Sequence, residues 1–487
     1  MSNDKLKVSG VTYTNQSSDY YEKRELKRSA GLFGLWGLAV AAVISGDFSG
    51  WNAGITQGGF GGLLIAFAIL VVMYYGMMFA IGEMAAAMPH SGGAYSFARK
   101  AMGPWGGFIT GMAETIEYVA TTAVIVYFSA GYADGVTSEL LNFHMDAWIW
   151  WIVLYIAFIA LNSAGSSVSF RFAIVVSIIS LAILLLFAVM ALTSGKVDYA
   201  ALFNQTPDPG QTGFLPHGAI GILFAIPFGV WLFLGIEELP LAAEEAHNPA
   251  KDIPRAGFIA RTTLIVTGLL VMFLNGGILP EDKRGSSGEP LLDGFRVMVG
   301  DTWAAVLGIF ALLGLLASLQ GIMFAYGRNM YSLSRAGYYP KVLSITGRTK
   351  TPWLALIVGA VIGFIALVVV DRLGGAASTA GVIVINIAVW GAMLAYLMQM
   401  ASYVLLRRKF PDMVRPYKSP WGLPGAVIAG IISALAFIGF LLNPTFTPAI
   451  YAIAGVYVIM LIIFAIWGRH RLVLSPEENY AVNGVHE

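Results

Sequence analysis

Long apolar runs constrain this chain more than any other feature. Stretches of about 20 residues, enough to cross a hydrocarbon core, fall at 32–57, 60–88, 105–133, 148–165, 170–194, 215–243, 257–280, 302–336, 353–371, 376–405, 424–443 and 447–467. Inside a bilayer the backbone must satisfy its own hydrogen bonds, so runs of this length and number predict an all-α membrane protein with 12 transmembrane helices. Only 12% of the residues are charged, against about 25% in a soluble domain. The chain has no cysteine, which excludes disulfides, thiol nucleophiles and cysteine metal sites. A net charge of +1 argues against nucleic acid as a partner.

An even number of spans puts both termini on one side. With the N-terminus in the cytoplasm, the predicted inner segments hold 24 of the 29 Lys and Arg residues. The outer loops hold only Lys196, Lys283, Arg284, Arg296 and Arg372. This bias sets orientation, and the chain is read as a multi-pass protein of the cytoplasmic (inner) membrane with cytoplasmic termini. Residues 1–30 form a cytoplasmic tail, ending in the membrane-flanking Lys23, Arg24, Lys27 and Arg28, with no cleavable signal peptide. Residues 471–487 are expected to be a short, mobile cytoplasmic tail. The segment 281–301 is rich in Gly, Pro and Ser and reads as a connector, the alternative being an outer lid.

Two of the runs are interrupted. The first carries VISGDFSGWNAG (Val43 to Gly54), with the acid Asp47 at membrane depth. A carboxylate there is costly and faces a cavity or a partner. The glycines beside it let the helix unwind and show its backbone to a ligand. Together these describe a midplane site for a small cation. The sixth run reads IPFGVWLFLGIEELPLAA (Ile226 to Ala243), where Pro227 and Pro240 each remove a donor and Gly235 precedes Glu237 and Glu238. Interrupted helices in corresponding halves point to a transporter site. Their spacing suggests two five-helix repeats, over 31–195 and 215–406, joined by an outer loop at 196–214 and followed by helices 11 and 12 over 407–470.

Several blocks carry a family resemblance. GEMAAAMPHSGGAYSFARKAMGPWGGFITG (Gly82 to Gly111), FLGIEELPLAAEEAHNPAKDIPRA (Phe233 to Ala256), GRNMYSLSRAGYYPKVL (Gly327 to Leu343) and the first break resemble the amino acid–polyamine–organocation (APC) superfamily over about residues 30–470. The resemblance implies a LeuT-type 5+5 inverted repeat with interrupted helices 1 and 6, and alternating access. The amino acid carriers of that superfamily resemble G-S-G-x-F at the first break, where bare backbone N–H groups hold a substrate carboxylate. Here the matching positions are Gly46, Asp47, Phe48, Ser49 and Gly50, preceded by Ser45. An acid there repels a carboxylate and attracts an ammonium. ISGDFSGWNAG, with Glu114 and Glu117, looks most like the ethanolamine permease branch.

Residue by residue, Asp47 is the candidate amine ligand, or else a structural acid on freed N–H groups. Glu114 and Glu117, three apart, share a helix face and should point inward, where a close pair can share a proton. The resemblance implies that Glu117, Tyr118 and Thr121 line the substrate cavity and that Glu237 couples occupancy to an inner gate or carries a proton. Trp231 and Phe233 offer aromatic faces to an ammonium, with Gly235 counted among the substrate-binding positions. Glu244, Glu245, Asn248, Lys251 and Arg255 are expected to pair with one another and with Arg328 or Arg335 in an inner gate.

The expected function is import of ethanolamine or a similar small protonated amino alcohol, as a symporter or uniporter. The alternatives are an amino acid, polyamine or choline carrier or exchanger of the same superfamily. A membrane potential of about 100 mV supplies roughly 2.3 kcal/mol per charge. No cofactor or metal is expected, and coupling to H+ or Na+ stays open. Some proton-coupled members carry a lysine in the fifth span, and this chain has none between Arg171 and Lys196. Hydroxyls such as Ser45, Ser49 and Ser318 leave sodium open. A receptor would need a signalling appendage, and an enzyme a nucleophile–base or metal arrangement, that the sequence lacks.

Overall fold

In the computed structural model, which describes residues 6–484 apart from 9, 15, 375 and 376, the apolar runs are helices. They are α1 (Leu32–Phe48), α2 (Ala53–Ala87), α3 (Gly93–Leu141), α4 (Ala147–Ser163), α5 (Ser166–Ser194), α6 (Gly218–Trp231), α7 (Pro249–Leu270), α8 (Asp301–Arg335), α9 (Trp353–Gly374), α10 (Ala377–Lys409), α11 (Gly422–Leu442) and α12 (Thr447–Ile466). Among the described residues, ten helices are long and apolar enough to cross a membrane; α1 and α4 are shorter apolar helices. Residue 376 of the tenth run, residues 1–5, 9 and 15 of the first tail and residues 485–487 of the last lie outside the described residues. The helices are apolar all round because two different surroundings demand it. One face packs inward, while outward residues such as Ile156, Leu185, Val266, Ile431 and Ile459 are exposed, as lipid contact requires.

Long α3 is flanked by α8 and α10; α2 packs on α6, α7 and α11; and α1 lies against α5, α7 and α8. Small residues set the closest crossings. A Cβ on Gly321 of α8 would sit 2.8 Å from the Ala42 backbone of α1. One on Gly391 of α10 would sit 2.8 Å from the Glu117 nitrogen of α3.

Both predicted breaks are present. The last turn of α1 ends at an extended Ser49 (φ −161°), followed by Gly50 at φ +86°. α6 stops at Trp231, Gly235 turns the chain at φ +102°, and Ile236–Glu245 continues as a 3-10 helix. Positive φ is strained for any residue with a Cβ, so Gly50 and Gly235 are what permit the two unwound stretches. The first two runs are divided by a non-helical Gly59 inside α2.

The first and last described segments of the chain lie on one face of the bundle, the terminal face, and there residues 471–484 are docked, where the sequence predicts a mobile tail. Leu6–Val8 and Val11–Thr14 form a hairpin, and Leu472–Val473 adds a parallel third strand to it. This small sheet is an addition to the helical fold. A final helix, α13 (Pro476–Asn483), follows, and its Glu477 and Glu478 are fully buried. Glu478 accepts hydrogen bonds from Tyr13, Tyr95, Tyr338 and Arg99. Glu477 accepts from Ser332 and Arg335. Burial alone would raise the Glu477 carboxyl, but Arg335, His90 and the Ser332 hydroxyl outweigh it and hold the group down at about 2. Acids that read as solvated in a polar tail are in fact neutralised by arginines of α3 and α8.

The segment 281–301 is also more than a connector. It forms Glu281–Arg284 and Pro290–Val299, and the turn between them reaches the first break. Gly288 O accepts from Ser49 Oγ at 2.6 Å and Ser287 O from Asn52 Nδ2 at 2.9 Å. This is the geometry of the lid alternative.

Candidate substrate site at the helix breaks

The two breaks lie against each other. A Cβ on Gly46 would come within 2.8 Å of the Trp231 carbonyl, so only glycine allows this approach. The Trp231 indole N–H donates to Ser49 O at 2.8 Å, and Tyr132 donates to Phe48 O at 2.6 Å. Carbonyls freed by the unwinding are thus satisfied by side chains. Three N–H groups beside the break are also occupied. Ser45 N–H donates to Ser318 Oγ (2.8 Å), Asp47 N–H to Ile44 O (3.1 Å) and Ser49 N–H to Ser45 O (3.1 Å). The Phe48 ring packs over Gly314 of α8. Beside the break a cavity of about 420 Å³ is lined by Gly50, Asn52, Phe228, Ser287 and Ile385.

Asp47 is 1% exposed and neither carboxylate oxygen has a hydrogen-bond partner. It faces α7, where a Cβ on Gly268 would lie 3.7 Å from Oδ1. The same Gly268 position abuts the Phe67 ring, which packs on Phe233 at 5.1 Å. Phe233 in turn packs on Tyr74 at 4.9 Å. These aromatic rings form a continuous row leading away from Asp47.

At the end of that row sit four more buried acids, Glu114, Glu117, Glu237 and Glu238. Tyr396 of α10 donates to Glu237 Oε2 at 2.7 Å, with Glu117 Oε1 at 3.5 Å from the same hydroxyl. Tyr118 reaches Glu114 at 3.4 Å. Oxygens of all four acids are left without partners, and none of the four forms a salt bridge among the described residues. Glu114 and Glu117 therefore meet different tyrosines, although they share a helix face. Thr121 is committed elsewhere, since its hydroxyl donates to Glu117 O of its own helix at 2.7 Å. Tyr74 and Tyr396 were not singled out from sequence. Two tyrosines among 21 carry no signal beyond a polar tip within an apolar run.

On the terminal face, Glu245 pairs with Arg328 (2.8 Å, both fully buried) and Glu244 with Arg335 (2.6 Å). Arg335 also holds Glu477 at 2.5 Å. Lys251 and Arg255 do not join this network, contrary to expectation. They are exposed and make no ion pair among the described residues, because they lie on the outward face of α7.

Comparison with known proteins places this arrangement. Residues 34–475 match the family model described as amino acid permease. An uncharacterised transporter of Rhizobium meliloti is 27% identical over 88% of this chain and 90% of its own. The branched-chain amino acid permease BcaP of Bacillus subtilis is 26% identical, over 86% of this chain and 88% of its own. The methylthioribose transporter of the same organism is 26% identical, over 85% and 87%. The solved structure of Mhp1, a nucleobase-cation-symport-1 family transporter in a closed conformation, aligns over 95% of this chain and 99% of its own, with a TM-score of 0.50 and 16% identity. That likeness carries the LeuT-like fold alone. With the family matched over nearly the whole membrane region and the breaks in place, the chain belongs to the amino acid permease family of the APC superfamily, as a multi-pass membrane transporter of a small molecule and not an enzyme.

Proposed function

We propose that the protein imports ethanolamine or a similar small protonated amino alcohol by alternating access. The observation that carries this reading is the set of five buried acids, Asp47, Glu114, Glu117, Glu237 and Glu238, around the breaks, with no basic partner among the described residues. Uncompensated buried carboxylates are costly, and a cation arriving from outside removes the cost. The N–H groups of Ser45, Asp47 and Ser49, three of those near the break that could hold a carboxylate, are already engaged. That disfavours an amino acid and favours an amine.

In this reading the ammonium meets Asp47 beside the Phe67–Phe233 rings, and the hydroxyl is taken by Ser49, Tyr118 or an unwound carbonyl. Ser45, Gly46, Phe48, Gly50, Glu117, Trp231 and Gly235 shape the pocket. Glu114 and Glu237 couple it to the gate formed by Glu244, Glu245, Arg328 and Arg335. Twelve spans in a 5+5 inverted repeat, cytoplasmic termini and a cytoplasmic-membrane location complete the proposal. The membrane potential drives a cation inward, by about fiftyfold at 100 mV, with H+ or Na+ as a coupled ion where more is needed. A second reading, an amino acid carrier, is favoured by the name of the branched-chain permease relative.

The test is uptake of labelled ethanolamine into proteoliposomes under an inside-negative potential, for the parent and Asp47→Asn. Saturable uptake that collapses in the variant supports the proposal. Exchange of a branched-chain amino acid with no ethanolamine uptake would replace it by the second reading. Equal ethanolamine uptake by both proteins would reduce Asp47 to a structural acid.

A further inference from the structure

The first three turns of α7 carry a stripe that the transport site does not use. Lys251 and Arg255 lie one turn apart and are exposed, and neither side chain has an ion pair or hydrogen bond among the described residues. Phe258 and Ile259 continue the stripe and are 47% and 46% exposed. All four line one groove of about 790 Å³, together with Phe79 and with Asn248 at the helix start. At 1.5 Å per residue, the stripe from Lys251 to Ile259 runs about 12 Å, from cationic at the terminal face to apolar toward the bundle's middle. Asp252 lies on the same first turn but does not line the groove.

A second observation lies behind the groove wall. Arg261 is fully buried and its three guanidinium nitrogens have no hydrogen-bond partner. Its guanidinium stacks at 3.6 Å on the Tyr75 ring and lies 5.0 and 5.2 Å from Phe79 and Phe258, the rings that wall the groove. It forms no salt bridge among the described residues. The groove is therefore positive at its rim and behind its wall, with the α7 N-terminus adding to the same sign. Its floor is apolar and faces outward.

A headgroup phosphate above an acyl chain matches this order of charge and apolarity along the membrane normal. We propose that the groove is a binding site for an anionic phospholipid. Its phosphate rests on Lys251 and Arg255, and its acyl chain lies along Phe258 and Ile259.

The test counts bound lipid by native mass spectrometry on the full chain in mild detergent. The protein is titrated with phosphatidylglycerol or with phosphatidylcholine of the same acyl chains. The parent should retain phosphatidylglycerol in preference. Lys251→Ala/Arg255→Ala should weaken it about 30-fold, the sum of two basic contacts at an anionic surface. Arg171→Ala, an exposed arginine elsewhere on the same face, should leave it unchanged. If the double variant unfolds, Lys251→Gln alone should still lower the preference several-fold. Equal retention of the two lipids, or unaltered phosphatidylglycerol binding in the variants, would overturn the proposal. Competition by free glycerol phosphate as effective as the lipid would make this a soluble-anion site and overturn the lipid assignment.

Discussion

Glu478→Gln isolates the docking of the C-terminal helix. The carboxylate accepts from Tyr13 at 2.6 Å, Tyr95 at 2.7 Å, Tyr338 at 3.0 Å and Arg99 Nε at 2.6 Å, with no exposure to solvent. Glutamine keeps the shape, removes the charge and turns an NH₂ donor toward groups that are themselves donors. Arg99, 4% exposed, loses its carboxylate. Breaking one side of a buried pair costs about 3–5 kcal/mol. Carried by tail docking alone, that raises the undocked population about 150- to 5,000-fold. Hydrogen exchange with mass spectrometry reads this directly over 472–484. Val473 N–H, bonded to Ala336 O at 2.9 Å, and Asn479 N–H, bonded to Ser475 O at 2.7 Å, are the reporters. The α5 amides serve as the internal standard. Exchange in 472–484 within threefold of the parent would refute the reasoning. So would equal acceleration of α5, since the pair would then hold the whole bundle and not the tail.

Three further outcomes follow from the same structure. Because the docked Glu477 carboxyl sits at about 2, below the ordinary 4.5, its contribution to docking is complete above pH 4.5 and is lost as pH falls through 2. The anisotropy of a probe at Asn483→Cys should accordingly be flat from pH 8 to 5 and drop below about 4. Gly321→Ala presses a methyl to 2.8 Å from the Ala42 backbone and should lower detergent thermostability by about 1–3 kcal/mol, with an unchanged melting curve as the contrary result. Tyr396→Phe leaves Glu237 without its 2.7 Å donor and should cut initial uptake about 5- to 150-fold, equivalent to about 1–3 kcal/mol. Parent-like rates would remove Tyr396 from the transport cycle.

What the sequence made legible is what local chemistry decides. Gly50 and Gly235 mark the breaks because positive φ is a property of one residue. The acids Asp47, Glu117 and Glu237 stand out because a charge in an apolar run is conspicuous wherever the chain goes. For Glu244 and Glu245 the sequence offers Arg328 or Arg335 without assigning either, because each stretch carries few charges, and it also offers Lys251 and Arg255, which stay outside the pairs formed. Tail docking was not legible. Glu478 lies 379 residues from Arg99 and 465 from Tyr13, and nothing local distinguishes it from a solvated acid. Tyr396 was missed for the same reason, as its role depends on which helix α10 meets. The reach of Gly288 into the first break is likewise set by packing, since its own neighbourhood reads only as turn.

The strand pairing at the terminal face has a consequence for biosynthesis. Thr14 Oγ1 bonds to Leu472 O, 458 residues later, and β-pairing between these segments waits until the second has been made. At about 5–20 residues per second, the Val11–Thr14 edge of the N-terminal hairpin stands open for about 20 to 90 s. An open strand edge is a template for pairing with other chains. The hairpin is short, and its other edge, Leu6–Val8, carries Lys7, a charge of the kind that blunts an edge strand. Only when Leu472 arrives is the Val11–Thr14 edge closed, so the last step of assembly seals the first segment made.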